Sequence, residues 1–177
     1  MKLKDRFIIY FSSLSEGENQ LEFTIDDIFF EKFDNELDFS NCNLDLFLQL
    51  DKKTSLIEFF YKIKGKVTLQ CDLTLESFDF NINSEKKIIL KFGEEYNDHD
   101  EDIIELPRKI NSFDISQHIY EIVILAIPNK KIHPKILSGE MKSDILDKLE
   151  RYLVNQINSD EVNENVDPRW NQLKKII

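Results

Sequence analysis

Between Asn43 and Leu50 a leucine recurs at every second position, Leu44, Leu46, Leu48 and Leu50, with Asn43, Asp45 and Gln49 on the alternate positions. Successive side chains of a strand point to opposite faces, so this period of two predicts a strand with one buried and one wet face. Such a strand needs partners of the same kind, and the flanking sequence supplies them. Phe7 to Phe11 and Leu21 to Ile25 are β-branched and aromatic, separated by the turn signal Ser15-Glu16-Gly17-Glu18-Asn19. Leu56 to Ile63 reads as a further strand, with Gly65 as a break after it. Val67, Leu69 and Cys71 share one face of the next. After a tight stretch at Asp72-Leu73-Thr74 the parity resumes at Phe78, Phe80 and Ile82, and Ile88 to Phe92 forms another strand.

Strands in succession with short connections predict an α+β fold built on an antiparallel β-sheet meander, either open or rolled into a barrel. Asp26 or Asp27 is placed to cap a short helical piece carrying Phe29, Phe30 and Phe33. A helix beginning at Ser116 presents Ile115, Ile119, Ile122, Val123, Ala126 and Ile127 as one stripe, and Pro128 ends it. A second amphipathic helix is expected around Glu140 to Ile157, with Asp144–Lys148 and Asp147–Arg151 as supporting pairs one turn apart. Ser159 to Val166 is polar and acidic and reads as a linker. Asp167 and Pro168 then suit the cap and first position of a final helix, whose Trp170, Leu173 and Ile177 share a face. The expected division is a sheet domain with its packed helix at 1–137 and a helical tail at 138–177.

The formal net charge of −11 argues against general coating of nucleic acid and suits a basic partner, although local basic patches on an acidic body can still meet phosphate. Two cysteines form no disulfide framework and fit a reducing, cytoplasmic compartment. The apolar stretch Phe7 to Phe11 is too short for a signal-peptide core, and no segment approaches the length of a membrane span.

The four isolated glycines form neither of the common glycine-rich nucleotide loops, and Gly-x-Ser-x-Gly is absent. Asp98, Asp100 and Asp102 have the alternate spacing of calcium ligands, but Ile103 stands where the turn glycine belongs and Lys109 where the last glutamate belongs. Glu94 to Glu105 therefore reads as a solvated acidic loop. Neither a metal nor another cofactor is expected. Cys71 lacks a paired cysteine for zinc, and its parity with Val67 and Leu69 makes it a buried apolar thiol. Lys130, Lys131, His133 and Lys135 form the densest local basic patch and a candidate phosphate contact. Lys62, Lys64 and Lys66, along one strand face, are a second candidate, whose plainer reading is a solvated edge that resists aggregation. Arg169 and Trp170 are the residue types that dominate interfaces, and Trp170 either docks on its own domain or anchors a partner.

Gly65-Lys66-Val67-Thr68-Leu69-Gln70-Cys71-Asp72-Leu73-Thr74-Leu75-Glu76 resembles the strand and Cys-x-Arg-Cys-Leu-Glu motif of the YceD-like family of large ribosomal RNA subunit accumulation proteins. Ile122 to Pro128 followed by His133 is similar to that family's Leu-Ala-x-Pro helix end, and Asp167-Pro168-Arg169-Trp170-Asn171-Gln172-Leu173 to its terminal motif. Phe29-Phe30 after an acidic pair is similar to the branch found in Bacteroidetes-type bacteria. Leu73 and Thr74 replace the motif's Arg and second Cys, so Cys71, Asp72 and Glu76 are the matched positions.

The resemblance implies a non-catalytic factor for assembly of the large subunit or accumulation of its RNA, working by binding a ribosomal protein or precursor RNA. No small-molecule substrate and no membrane partner are expected. The binding residues expected are Cys71, Asp72, Glu76, Lys130, Lys131, His133, Lys135, Asp167, Arg169, Trp170 and Leu173. Two competing readings are a hydrolase or nuclease using Cys71 or an acidic metal site, and a protein-only scaffold for a basic partner.

Overall fold

A computed structural model describes residues 6–33, 37–100 and 102–140, and the side chains of 98–100 are not described. The predicted helix from Glu140, the acidic linker and the Asp167–Trp170 segment lie outside the described residues. The chain divides into two compact units, 1–133 and 134–177. In the second, the described part contains the short helix α3, Pro134–Leu137.

The first unit runs β1 Ile8–Tyr10, β2 Gly17–Asp26, α1 Asp27–Phe30, β3 Phe39–Lys52, β4 Leu56–Gln70, β5 Ser77–Gly93, β6 Asn97–Asp100, β7 Ile103–Pro107, β8 Ser112–Asp114 and α2 Ser116–Ala126. Six strands form one open sheet in the order β2-β3-β4-β5-β7-β6, while β1 and β8 pair as a separate ribbon. The β2–β3–β4–β5 part is the expected antiparallel meander. Of the two forms expected, the sheet takes the open one. One expectation is corrected: the sheet is not antiparallel throughout, because β7 pairs with β5 in parallel, Ile89 opposite Ile103 through Gly93 opposite Pro107. The acidic stretch is also not simply a loop. It holds β6 and the start of β7, because Ile104 and Leu106 alternate with Glu105 and bury their side chains.

The strands are longer than their hydrophobic runs suggest. β4 passes straight through Gly65, which is no break, and β5 joins the Phe78 and Ile88 segments into one strand of 17 residues. Gly65 is needed for a different reason. Its φ is +148°, and a Cβ there would sit 2.2 Å from the Asn43 carbonyl oxygen and 2.8 Å from Leu44 Cα. Glycine lets β3 approach β4 beside an irregularity in β3 between Ser40 and Asn43. Asp27 secures that irregularity by accepting the Cys42 N–H at 2.8 Å. Asp26 caps α1, accepting the Phe29 N–H at 3.2 Å.

The alternation at Leu44 to Leu50 behaves as expected. All four leucines are buried, as are Ile57, Phe59, Tyr61, Ile63, Val67 and Leu69 on the same face of β4. Three structures cover this face. Phe7, next to β1, packs its ring against Phe23 and Phe29, centroids 5.5 and 4.9 Å away. On β8, Phe113 meets Phe59 edge to face. α2 brings Ile119, Ile122 and Val123 inward, with His118 stacked on Tyr61. Ile127, expected in the helical stripe, instead forms its extended C-terminal cap before Pro128. Lys32 joins the aromatic cluster, its ammonium 4.5 Å from the Phe29 ring centroid and 2.9 Å from Ser116 Oγ. The opposite face of the large sheet carries the polar set and is exposed.

Candidate functional site

β4 and β5 are joined by the turn Cys71–Glu76, which closes on itself. The Cys71 N–H donates to the Glu76 carbonyl and the Leu75 N–H to the Cys71 carbonyl, both at 2.9 Å. Gln70 Nε2 donates to the Leu75 carbonyl at 3.0 Å. Closure places Leu75 at φ +60°, a backbone region that leucine seldom occupies, with its side chain 68% exposed. An apolar side chain held outward on strained backbone is a functional candidate that sequence patterning had no signal to find.

The loop that follows α2 lies against this turn. Asp72 and Lys131 exchange two hydrogen bonds, Asp72 N–H to the Lys131 carbonyl at 2.8 Å and Lys131 N–H to Asp72 Oδ2 at 2.7 Å. The His133 N–H donates to Cys71 Sγ at 3.4 Å, and the His133 ring packs on Phe78 with centroids 5.3 Å apart. Lys131 reaches across to Asp38, Nζ to Oδ2 at 2.9 Å. Cys71, Asp72, Lys131 and His133, separated by about sixty positions in the chain, are thus one structural corner. Asp38, Phe39, Thr68, Gln70, Asp72 and Lys131 line a shallow depression beside it.

Cys71 is fully buried, as its parity predicts. Burial pushes the thiol's pKa up, but the nearby Thr74 hydroxyl and the backbone N–H groups of His133, Leu73 and Thr74 outweigh it. The net direction is downward. The Thr74 hydroxyl is itself buried, with no oxygen or nitrogen partner among the described residues. In this chain Thr74 faces the sulfur where the motif's second cysteine would stand. His133 offers Cys71 a main-chain N–H, which is a structural bond.

The other predicted residues are placed less closely. Glu76 contributes its carbonyl to the turn and its side chain is exposed. Lys130 is exposed next to Lys131. Lys135 is exposed on α3, in the second unit. Asp167, Arg169, Trp170 and Leu173 lie outside the described residues. Among the described residues no group of three or more His, Cys, Asp or Glu side chains is arranged to hold a metal ion, and no helix is long and apolar enough to cross a membrane. Asp102, one of the calcium candidates, pairs with Lys86 at 2.5 Å. A larger cleft between β5, β7 and α2, lined by Lys86, Tyr96, Gln117, His118, Glu121 and Leu125, contains none of the predicted binding residues.

Searches of the curated proteins and of the solved structures find no match to the chain. Compared with known protein families, residues 60–177 match the family described as Large ribosomal RNA subunit accumulation protein YceD. The match begins inside β4 and takes in both halves of the corner, Cys71–Glu76 and Lys131–His133. It covers more than half of the sequence, and the chain belongs to the YceD family.

Proposed function

We propose that the protein is a non-catalytic binding factor for the precursor of the large ribosomal subunit, acting in the cytoplasm to promote subunit assembly and accumulation of its RNA. The family's description links its members to large-subunit RNA. The observation that carries the reading is the bonding of Asp72 to Lys131 and of Cys71 to His133. Two segments that carry the resemblance support each other as a rigid corner, with Leu75, Asp38 and Lys130 displayed around it. A rigid, exposed corner suits recognition, since little ordering is left to be done on binding.

Contact with a ribosomal protein or with precursor RNA is made by this corner, by Lys130 and Lys135, and by the Asp167–Trp170 segment with Leu173. Burial of Cys71 argues against a nucleophile there, because reaction requires an accessible thiolate. Gradient sedimentation of cell extracts tests the reading. The protein is expected to co-migrate with large-subunit precursors, and its loss to lower mature large-subunit RNA. Absence of both effects refutes it.

A further inference from the structure

The outer face of the large sheet is open to solvent, and two of its exposed side chains are phenylalanines. Phe47 on β3 is 43% exposed and Phe60 on β4 is 38% exposed. Phe47 pairs with Lys62 and Phe60 with Gln49, so the two rings are diagonal neighbours on one face. Diagonal positions lie about 7–8 Å apart, and each ring keeps part of its surface in solvent. Along the same face of β4 follow Lys62, Lys64 and Lys66.

Lys62 is bound to Glu85 at 2.6 Å, whereas Lys64 and Lys66 form no ion pair among the described residues. Asn43 and Asn81 flank Lys66 on the two neighbouring strands, and Asn83 flanks Lys64. Asp45, opposite Lys64, makes no ion pair with it. Glu22, directly opposite Phe47 on β2, is exposed and forms no ion pair among the described residues, whereas the carboxylates beside Phe60 and Lys62 are paired. Glu58 accepts from Lys53 and Lys87, and Glu85 from Lys62.

Resistance to aggregation accounts for the lysines but not for two rings in water at the centre of a polar face. Base stacking on aromatic side chains, with lysines and amides following the backbone, accounts for both. Phe60 and Lys64 are four residues apart on one strand, about 13 Å, a span that covers a short run of nucleotides. We infer that this face binds unpaired RNA, with Phe47 and Phe60 stacking on bases and Lys64 and Lys66 contacting phosphate. The inference deepens the function proposed above and rests on it for the source of the RNA.

Fluorescence anisotropy of a labelled oligouridine of about a dozen nucleotides, titrated with the full chain, tests it. Phe47→Leu and Phe60→Leu keep an apolar strand residue but remove the ring, and each is expected to weaken binding about tenfold. Lys64→Gln with Lys66→Gln is expected to reduce the slope of log affinity against log salt by about 1.4. Circular dichroism checks that the variants fold, and Phe47→Tyr, which retains a ring, should restore binding.

Absence of oligonucleotide binding, or binding indifferent to these substitutions, overturns the inference. So does loss of a nuclease-resistant protein association in the same variants without loss of RNA affinity, which would identify a protein occupant. Either failure leaves sedimentation with subunit precursors intact. Failure of the assembly reading instead abolishes sedimentation while oligonucleotide binding persists.

Discussion

The His133 backbone N–H donates to the Cys71 sulfur at 3.4 Å, tying the loop after α2 to the turn between β4 and β5. A thiol used as an acceptor is replaceable by another acceptor and not by a methyl group. Cys71→Ala leaves the His133, Leu73 and Thr74 N–H groups without it and is expected to cost about 1–3 kcal/mol in urea unfolding. Cys71→Ser is expected to cost less and to leave sedimentation with subunit precursors unchanged. A folded Cys71→Ser protein that has lost its cellular effect would instead point to chemistry at the thiol.

Asp72 holds the other strand of the same junction. Asp72→Ala removes the acceptor of the Lys131 N–H and is expected to cost about 1 kcal/mol, because the bond is exposed and water partly replaces it. Hydrogen exchange should quicken at Lys131 and change little at Leu46 or Phe59.

Gly65→Ala forces a methyl group to within 2.2 Å of the Asn43 carbonyl, on a backbone that alanine avoids. A loss of more than about 2 kcal/mol is expected, since β3 and β4 must separate locally. Thermal unfolding checks this. A stability within about 0.5 kcal/mol of the native chain would mean that β3 moves freely at the Asn43 irregularity.

Cys42 has the opposite pH behaviour to a paired acid. Burial first, then the nearby carboxylates of Asp27 and Asp26, push its thiol from 9.0 up to about 12. Above pH 9 the unfolded chain loses this proton while the folded one keeps it, so the contribution is complete below pH 9 and is lost as pH rises towards 12. Cys42→Ala should flatten the fall in stability across that window by up to about 1.4 kcal/mol per pH unit, measured by urea unfolding at successive pH values. Tyr61, also raised by burial, remains in the variant and keeps some of the alkaline sensitivity.

The acid limb is expected to involve Glu58, whose carboxylate accepts from Lys53 and then Lys87 and is held at about 2. Its contribution is present above pH 4.5 and is lost as pH falls towards 2. Glu58→Gln should remove that sensitivity at a cost of under about 1 kcal/mol near neutrality, as befits a surface pair.

The period-two leucines, a helix cap at Asp26 or Asp27, most of the α2 stripe and the burial of Cys71 were legible in the chain, because each depends on neighbours within a few residues. Local pattern misplaced what depends on distant ones. Gly65 reads as a break until Asn43 is seen beside it, and the acidic stretch reads as a loop until β5 offers its free edge to Ile103–Pro107. The motif at Cys71–Glu76 and the loop at Lys131–His133 are each visible in the sequence, but nothing local couples them. Only the return of the chain after α2 brings the Asp72 and Lys131 backbones within hydrogen-bonding range. The outer sheet face follows the same rule. Lys62, Lys64 and Lys66 share a face by strand parity alone, whereas Phe47 joins them only through the register of β3 against β4.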